Sequence, residues 1–502
     1  MTLSLTARVV SVGNFMKRIP NKGFSTLELM IAFALMSIIF TGVILAHFGS
    51  AYWAVAAQTS NEGLYKAKTR LEELRAIVKK DFRMASSSAT AKVLDASCVT
   101  GGLCYYVTTD VADLSPCSKY VTAAVEWRVQ GYPTTTTSLF TNLTDTNEAI
   151  QLGGDCPLIA PAGAWGSATQ AGQFDTAGGT LLGVDVLGSM VYAVSNQSPY
   201  LFIASTSAGF ITFDNGFTAT EPLNAIDVAR DLTTGRTYGF AAVASTTIGL
   251  EVLDLTDPYN PASVATLALP GVDKNGGNPQ GWRIAYYDRK VYLTTRYTAG
   301  PEFHVIDVSS PSNPISLGSY NLETSPYGIV VRDIKQGNAL RRVAFLATTE
   351  DQKELMVLNV TNPASIAEMG ATTDLTGSAD GYSVFFAGNT VYLGREANPS
   401  GPELYALDAS NIFTASTGLP IVGSAREVGG TILGIRVSAP YVFAAVQKST
   451  SQFQVFNTTN GVLSATPTTF NTAGLSGGID MEGKSIYVAG SNAPRLRIIQ
   501  SQ

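Results

Sequence analysis

A unit of four predicted strands, repeated seven times between residue 183 and the C-terminus, constrains the fold more than any other feature. Segments such as "GVDVLGSMVYAV" from Gly183, "RIAYYDRKVYLT" from Arg283 and "GIDMEGKSIYVA" from Gly478 each contain a strand, a turn and a second strand. A third strand follows, as in "FHVIDVSSPSNP", and then a fourth, as in "PISLGSYNL". Such repetition predicts small antiparallel sheets arranged in a ring around a central channel.

The repeated unit resembles the LVIVD-type propeller repeat, through strands such as "FHVIDV". The resemblance spans residues 164–502 and implies a seven-bladed β-propeller. The seventh copy ends at "LRIIQSQ", after its third strand. We expect "AWGSATQAGQFDT", residues 164–176, to supply the missing outer strand, because closing the ring in this way leaves no exposed sheet edge.

Two further repeat positions carry structural signals. The residue before the first aliphatic side chain of each inner strand is small in six of seven copies, as expected where strands converge on a channel: Gly183, Ala225, Arg283, Gly328, Ser383, Gly434 and Gly478. In five of the seven copies the third strand ends in Asp or Asn, whose side chains bond the backbone of a following turn, at Asp254, Asp307, Asn359, Asp408 and Asn457.

The N-terminal segment predicts a membrane-spanning helix. Residues 1–23 contain four basic side chains and no acidic one, and Leu29–Ala46 is apolar apart from Ser37, Thr41 and a glycine. Eighteen apolar residues can cross the hydrocarbon layer as a helix, with the basic leader on the cytoplasmic side. The helical pattern continues beyond this stretch, with four apolar positions on one side: Leu64, Leu71, Leu74 and Val78.

This segment resembles the type IV pilin and pseudopilin family through Gly23, Phe24 and Glu28 at the end of the leader. The resemblance implies cleavage between Gly23 and Phe24 by a prepilin peptidase, N-methylation of Phe24, and pairing of Glu28 with the α-amine of a neighbouring subunit. Loss of the leader would change the side-chain charge from −6 to −6 − 4 = −10. The alternative is a plain signal anchor that happens to contain a glutamate.

The region between helix and propeller predicts a small β domain. "YVTAAVEWRVQGYPTTTTSLFTNLTD" alternates and is rich in Val, Thr and aromatic residues, which indicates a hairpin anchored by Trp127. We expect the disulfides Cys98–Cys104 and Cys117–Cys156, with free buried thiols as the alternative. The predicted fold is mainly β, and its segments are a leader at 1–23, a pilin helix at 24–84, a pilin-like β domain at 85–163 and the propeller at 164–502.

Two groups of channel residues are candidate sites. Asp185, Asp227 and Asp480 share one repeat position on three consecutive blades, and Arg436 holds the same position in blade six. They could bind a divalent cation, or form a network with Arg436.

The other candidate site is formed by Trp282 and Arg283, because Trp and Arg are among the residue types that dominate binding sites. Arg436 is a further candidate for ligand contact. The alternative for Arg283 is a local ion pair with Asp273 or Asp288.

The composition argues against nucleic acid as a partner and against catalysis. The net charge is −6, and the chain contains two His and no nucleophile elbow or phosphate loop.

We therefore expect a minor, tip-located pilin-like subunit without a cofactor. It sits in the inner membrane before assembly and then displays the propeller at the cell surface. Other pilins would be its partners through the helix, and a surface, glycan or protein would bind the propeller. The alternatives are a pseudopilin of a secretion system whose propeller engages cargo, and a filament-anchored propeller enzyme.

Overall fold

The chain forms two compact units, Met1–Tyr65 and Lys66–Gln502. The computed structural model describes residues 26–79, 82, 85, 93–94, 103–115, 118–128, 134–144, 165–175, 179–207, 210–231, 233–274, 276–296, 298–336, 339–398, 401–438, 440–459, 461–472 and 474–501. The predicted cleavage site, Gly23 and Phe24, lies outside the described residues.

The α-helix α1 runs from Thr26 to Val78 over 53 residues. Its segment Thr26–Leu45 is exposed along its whole length, has a mean hydropathy of 2.3, and is long and apolar enough to cross a membrane. The hydroxyl of Ser37 donates to the carbonyl oxygen of Phe33, and that of Thr41 donates to the carbonyl oxygen of Ser37. Both polar side chains are thereby satisfied within the helix, which reduces the cost of placing them in lipid.

The C-terminal turns of α1 pack on a four-stranded antiparallel sheet. Leu71, Leu74 and Val78 are buried in this core, as the helical pattern predicts, whereas Leu64 is 44% exposed. The strands follow the chain order, with β1–β4 formed by Val93–Leu94, Tyr105–Ser115, Ser118–Trp127 and Thr135–Thr144.

The predicted hairpin is confirmed. Strands β3 and β4 pair from Ser118↔Thr144 to Trp127↔Thr135. Trp127 is 2% exposed, and its ring lies 5.6 Å from that of Tyr105 on the neighbouring strand. Cys104 is disulfide-bonded; the other three cysteines, Cys98, Cys117 and Cys156, lie outside the described residues, so the disulfide pairing stays a prediction.

Seven further antiparallel sheets are formed by the described residues from 165 onward. Strand β5 is Thr169–Phe174, and blade one contains β6–β9: Leu181–Leu187, Met190–Ser195, Leu201–Ser207 and Phe210–Phe217. Blade two contains β10–β13: Leu223–Arg230, Thr237–Val243, Leu250–Asp254 and Ala262–Leu267. Blade three contains β14–β17: Gln280–Tyr287, Lys290–Arg296, Phe303–Asp307 and Ile315–Tyr320. Blade four contains β18–β21: Pro326–Gln336, Ala339–Thr348, Leu355–Asn359 and Ala367–Glu368.

The last three blades depart from four regular strands. Blade five contains β22–β24: Gly381–Ala387, Thr390–Arg395 and Leu404–Asp408. Its outer edge is completed by the isolated bridges Leu404↔Arg426 and Leu407↔Ile421. Blade six contains β25–β29: Thr431–Ser438, Tyr441–Gln447, Phe453–Thr459, Val462–Leu463 and Thr468–Phe470. Blade seven contains β30–β32: Leu475–Glu482, Ser485–Gly490 and Leu496–Gln500. In the part of the chain from residue 165 onward, short 3-10 helices are formed by Trp165–Ser167 and Pro363–Ser365.

The first strands of the blades contact one another in a closed cycle, β6 to β10, β14, β18, β22, β25, β30 and back to β6. Each first strand carries a β-bulge or register irregularity near its beginning, at the same repeat position. A Cβ atom added to Gly328 would lie 3.0 Å from the Cα atom of Ser383 on the next blade. A small residue is therefore needed at Gly328, because the neighbouring backbone approaches closely there, whereas a Cβ atom added to Gly478 would have no atom within 4 Å.

The predicted closure of the ring is confirmed. Strand β5 pairs antiparallel with β32, from Leu496↔Phe174 to Gln500↔Thr169. Trp165, just before β5, is 1% exposed and packs edge-on against Phe443 of blade six at 4.6 Å between ring centroids. Residues before the first blade thus complete the last one with a strand and an aromatic anchor.

The Asp and Asn residues that end the third strands have the predicted structural role in four of five cases. Oδ1 of Asp254, Asp307, Asn359 and Asp408 accepts the backbone N–H two residues later. Asn457 differs, because its backbone N–H and C=O instead bond Ser464.

Removing the closing strand should open the ring. A chain that begins at residue 164 should fold as a monomer, and one that begins at residue 178 should be destabilised by several kcal/mol, against roughly 5–15 kcal/mol for a whole domain. The loss of β5 exposes the edge of β32, a template for aggregation. Thermal melts and light scattering measure both effects.

A chain that begins at residue 169 is the matched control, since it keeps β5 and lacks Trp165. Equal melting temperatures for the chains beginning at 164 and 178 would show that β5 does not stabilise the ring.

Candidate functional site

Aromatic side chains converge at one end of the channel, where first strands begin and second strands end; we call this end the upper face. Trp282, Tyr327 and Tyr382 occupy the same repeat position in blades three, four and five. Each is the extra residue at the bulge of its first strand. A bulged residue is not part of the strand ladder and its side chain is re-aimed, so these three rings can turn towards one another.

The three rings form a continuous row, and two guanidinium groups lie over the first of them. The centroid of Trp282 lies 5.8 Å from that of Tyr327, which lies 4.8 Å from that of Tyr382. The guanidinium carbon of Arg296 lies 3.3 Å from the centroid of Trp282, and that of Arg283 lies 4.3 Å from it. We call these five residues the Trp282 cluster.

Arg283 is a cation without a carboxylate partner among the described residues. Its Nε donates to the carbonyl oxygen of Tyr327 at 3.0 Å, and a terminal nitrogen donates to that of Trp282 at 3.4 Å. Burial lowers the pKa of Arg283 to about 10, and nearby Arg296 also lowers it. The alternative prediction for Arg283 is wrong, because among the described residues no ion pair joins Arg283 to Asp273 or Asp288, and Asp288 instead pairs with Arg342 at 2.6 Å.

The indole N–H of Trp282 adds a second donor without an acceptor. Trp282 is 7% exposed, and its Nε1 has no hydrogen-bond partner among the described residues. A buried donor left unpaired costs about 1–3 kcal/mol. The cluster therefore combines an indole donor that has no acceptor among the described residues with the positive charge of Arg283.

The three channel aspartates form a different arrangement from a metal site. Asp185 accepts the backbone N–H of Val228 on blade two, and Asp227 accepts that of Tyr286 on blade three. Asp480 accepts that of Val186 on blade one at 2.9 Å. Each carboxylate thus bonds the backbone of the next blade.

The predicted divalent cation therefore has no ligand cluster here. The described residues contain no group of three or more His, Cys, Asp or Glu side chains that could hold a metal. Arg436 donates from Nε to Asp480 at 2.8 Å, so the alternative prediction of a network with Arg436 fits the structure. Arg436 accordingly belongs with these aspartates and is separate from the predicted ligand contact at Trp282.

Asp227 titrates abnormally in this network. Burial, together with the charge of Asp480, raises the pKa of Asp227 from its ordinary value of 3.8 to about 7. The hydrogen bond from Tyr286 and the charges of Arg436 and Arg332 lower it, but burial outweighs them.

A row of buried acidic and amide side chains on the upper face was missed by sequence reasoning. Each precedes a third strand and accepts backbone N–H groups in the loop that leads to the next blade: Glu302 from Leu322, Glu354 from Leu375, Glu403 from Val428 and Gln452 from Thr472. The signal was present, since Glu or Gln stands directly before the third strand in four successive repeats.

Comparison with known proteins supports the propeller repeat. Residues 297–322, in blade three, match the LVIVD repeat family, and no curated protein matches the sequence. The β-propeller domain of Cps50 (Swd1) from Myceliophteria thermophila is similar at 10% identity and a TM-score of 0.45, covering 67% of this chain and 100% of that one.

Two further solved structures have similar scores. A chain of the mitotic checkpoint complex is 9% identical, with a TM-score of 0.45 and 69% and 96% coverage of the two chains. A functionally unknown protein from Desulfotomaculum acetoxidans is 11% identical, with a TM-score of 0.40 and 74% and 96% coverage. At these scores the β-propeller assignment depends on the sheet topology and the matched repeat.

Replacing Asp227 should change how stability depends on pH. Between pH 4 and 7 the folded state binds more protons at Asp227 than the unfolded state does, because the folded pKa is raised from 3.8 to about 7. The free energy of unfolding therefore falls as pH rises through this window, by at most about 1.4 kcal/mol per pH unit. Asp227→Asn removes this fall and keeps an acceptor for Tyr286.

Urea unfolding from pH 2.5 to 7.5 measures the difference between wild type and variant. Asp254→Asn is the control, because Asp254 should change the free energy of unfolding with pH in the opposite direction. Hydrogen bonds from Thr256 and the charge of Arg236 outweigh burial and lower the pKa of Asp254. Its contribution is present above the unfolded pKa and is lost as pH falls. Parallel profiles for wild type and Asp227→Asn would contradict the assignment.

Proposed function

We propose that this chain is a minor pilin-like subunit, inserted in the inner membrane through α1 and later displayed at the cell surface. Its seven-bladed β-propeller binds a protein partner there. The observation that carries the proposal is the combination in one chain of an exposed apolar helix with Glu28 in its first turn and a ring of seven sheets with LVIVD repeats.

The chemistry of Glu28 favours assembly over simple anchoring. Glu28 lies in the first turn of α1, directly before the apolar run, and is exposed on the helix surface. A carboxylate near bilayer hydrocarbon costs up to several kcal/mol unless a partner neutralises it. In a filament, the α-amine of a neighbouring mature subunit would supply the opposite charge. A plain anchor gains nothing from an acidic residue at this place.

The region between the apolar part of α1 and the propeller fits the same proposal. The last turns of α1 bury apolar side chains against a small antiparallel sheet, the arrangement that the pilin resemblance implies. The disulfide bond at Cys104 fits an oxidising compartment outside the cytoplasm. A large propeller on each subunit would crowd a uniform filament, so we propose a rare or tip position.

A binding role suits the propeller better than catalysis. The Trp282 cluster brings Trp, Tyr and Arg together, the residue types that contribute most to protein–protein binding. His304 is fully buried within β16, and burial lowers its pKa to about 4. Its position therefore suits a packing role inside the blade. We therefore propose adhesion through a protein ligand and no enzymatic activity.

Glu28→Ala should leave processing intact and reduce incorporation into filaments. Mass spectrometry should find a mature chain beginning at Phe24, because the cleavage motif is unchanged. Loss of a charge-assisted bond of about 1.5–3 kcal/mol should reduce the incorporated fraction roughly tenfold or more. Quantitative immunoblots of sheared filaments measure that fraction.

Glu62→Ala is the matched control, since Glu62 is an exposed carboxylate on the same helix beyond the apolar run. Gly23→Ala should leave the leader attached and the chain in the membrane. Incorporation of Glu28→Ala at the wild-type level would rule out the charge-pairing role, and a mature chain beginning elsewhere would rule out the prepilin assignment.

A further inference from the structure

The Trp282 cluster contains two arginines, whereas the chain as a whole carries a net negative charge. The chain carries a net charge of −6, yet Arg283 and Arg296 both stack on one indole ring. Two guanidinium groups this close repel each other, and Arg283 has only backbone carbonyl acceptors among the described residues. The positive potential at this end of the channel is therefore incompletely balanced by Arg283's own contacts.

The unpaired donors define the ligand chemistry. The indole N–H of Trp282 and the remaining N–H groups of Arg283 require oxygen acceptors. A carboxylate meets this requirement, because its two oxygens accept in the plane of a guanidinium fork and its charge offsets that of arginine. The adjacent rings of Tyr327 and Tyr382 would cover the apolar stem of the group that carries the carboxylate.

The position of the cluster indicates which kind of molecule could present that carboxylate. All three rings come from the bulges at the beginning of first strands, at the rim of the channel. A side chain on a protruding loop can reach such a rim without distorting the ring of blades. We propose that the Trp282 cluster binds an acidic side chain of a partner protein; this inference rests on the protein-binding role proposed above and gives that role its ligand chemistry.

Calorimetric titration of the purified full-length chain in detergent micelles tests the inference. The probe is a short peptide of alternating Gly and Glu, acetylated and amidated at its ends, and its twin carries Gln in place of Glu. The acidic peptide should bind and the amide twin should not. Arg283→Gln should weaken binding roughly ten- to a hundredfold, the value of a hydrogen bond to a charged group.

Two conservative variants separate recognition from folding. Arg283→Lys keeps the charge and loses the planar fork, so it should bind with an affinity between those of wild type and Arg283→Gln. Trp282→Phe keeps a ring and loses the N–H donor, and should weaken binding roughly three- to tenfold. If Arg283→Gln does not fold, these two variants decide the question.

Arg236→Gln is the charge-matched control, because Arg236 lies on an exposed turn of blade two and pairs with Asp254. It should bind the acidic peptide like the wild type. Equal weakening by Arg236→Gln and Arg283→Gln would overturn the inference, since only net charge would matter, and so would equal binding of the amide twin.

A third arm tests the source of the carboxylate. An oligosaccharide of galacturonate carries the same group on a sugar. Binding of this oligosaccharide without binding of the acidic peptide would overturn the protein partner in favour of a glycan. None of these outcomes depends on filament incorporation, so failure here is distinguishable from failure of the pilin-like assignment.

Discussion

The pairing of β5 with β32 is the interaction on which the rest of the propeller depends. Each blade is a thin sheet whose second strand is buried along most of its length, as in β7 and β15, because neighbouring blades cover both faces. A blade at an open end would expose one of these apolar faces to water. Pairing residues 169–174 with the last sheet covers the edge of β32 and joins the beginning of the ring to its end.

Polar groups reinforce this ring in two separate systems. The aspartates bond across three consecutive interfaces, between blades seven and one, one and two, and two and three, which flank the closure. Glu302, Glu354, Glu403 and Gln452 hold the loops between blades three and seven at the upper face. Both systems satisfy backbone donors that burial would otherwise leave unpaired. They also fix the angle between blades, which apolar packing alone would leave free to vary.

The sequence correctly predicted the features that recur in every repeat. It did not predict the directions in which individual side chains point. Repeat phase located the strands, the small residues of the first strands and the closing strand, because each is set by backbone geometry that recurs in every blade. The same repeat position for Asp185, Asp227 and Asp480 showed that they lie at one level of the channel. It did not show that their oxygens point along the ring to the next backbone, and so a cation site was considered where hydrogen bonds exist. The partner of Arg283 was mistaken for a similar reason, since sequence proximity to Asp288 carries no information about orientation.

The position of the Trp282 cluster explains how a repetitive fold acquires one specific site. At the bulge, blades one, two and six carry Leu182, Asn224 and Leu433, whereas blades three to five carry Trp or Tyr. A bulged residue makes no contribution to strand register, so its side chain is nearly free of the constraint that makes the next residue small. Variation concentrated at this position breaks the symmetry of the ring without weakening its closure. The fold can therefore tolerate a partly buried cation and an unpaired indole donor there, a cost of a few kcal/mol that a carboxylate-bearing partner would recover on binding.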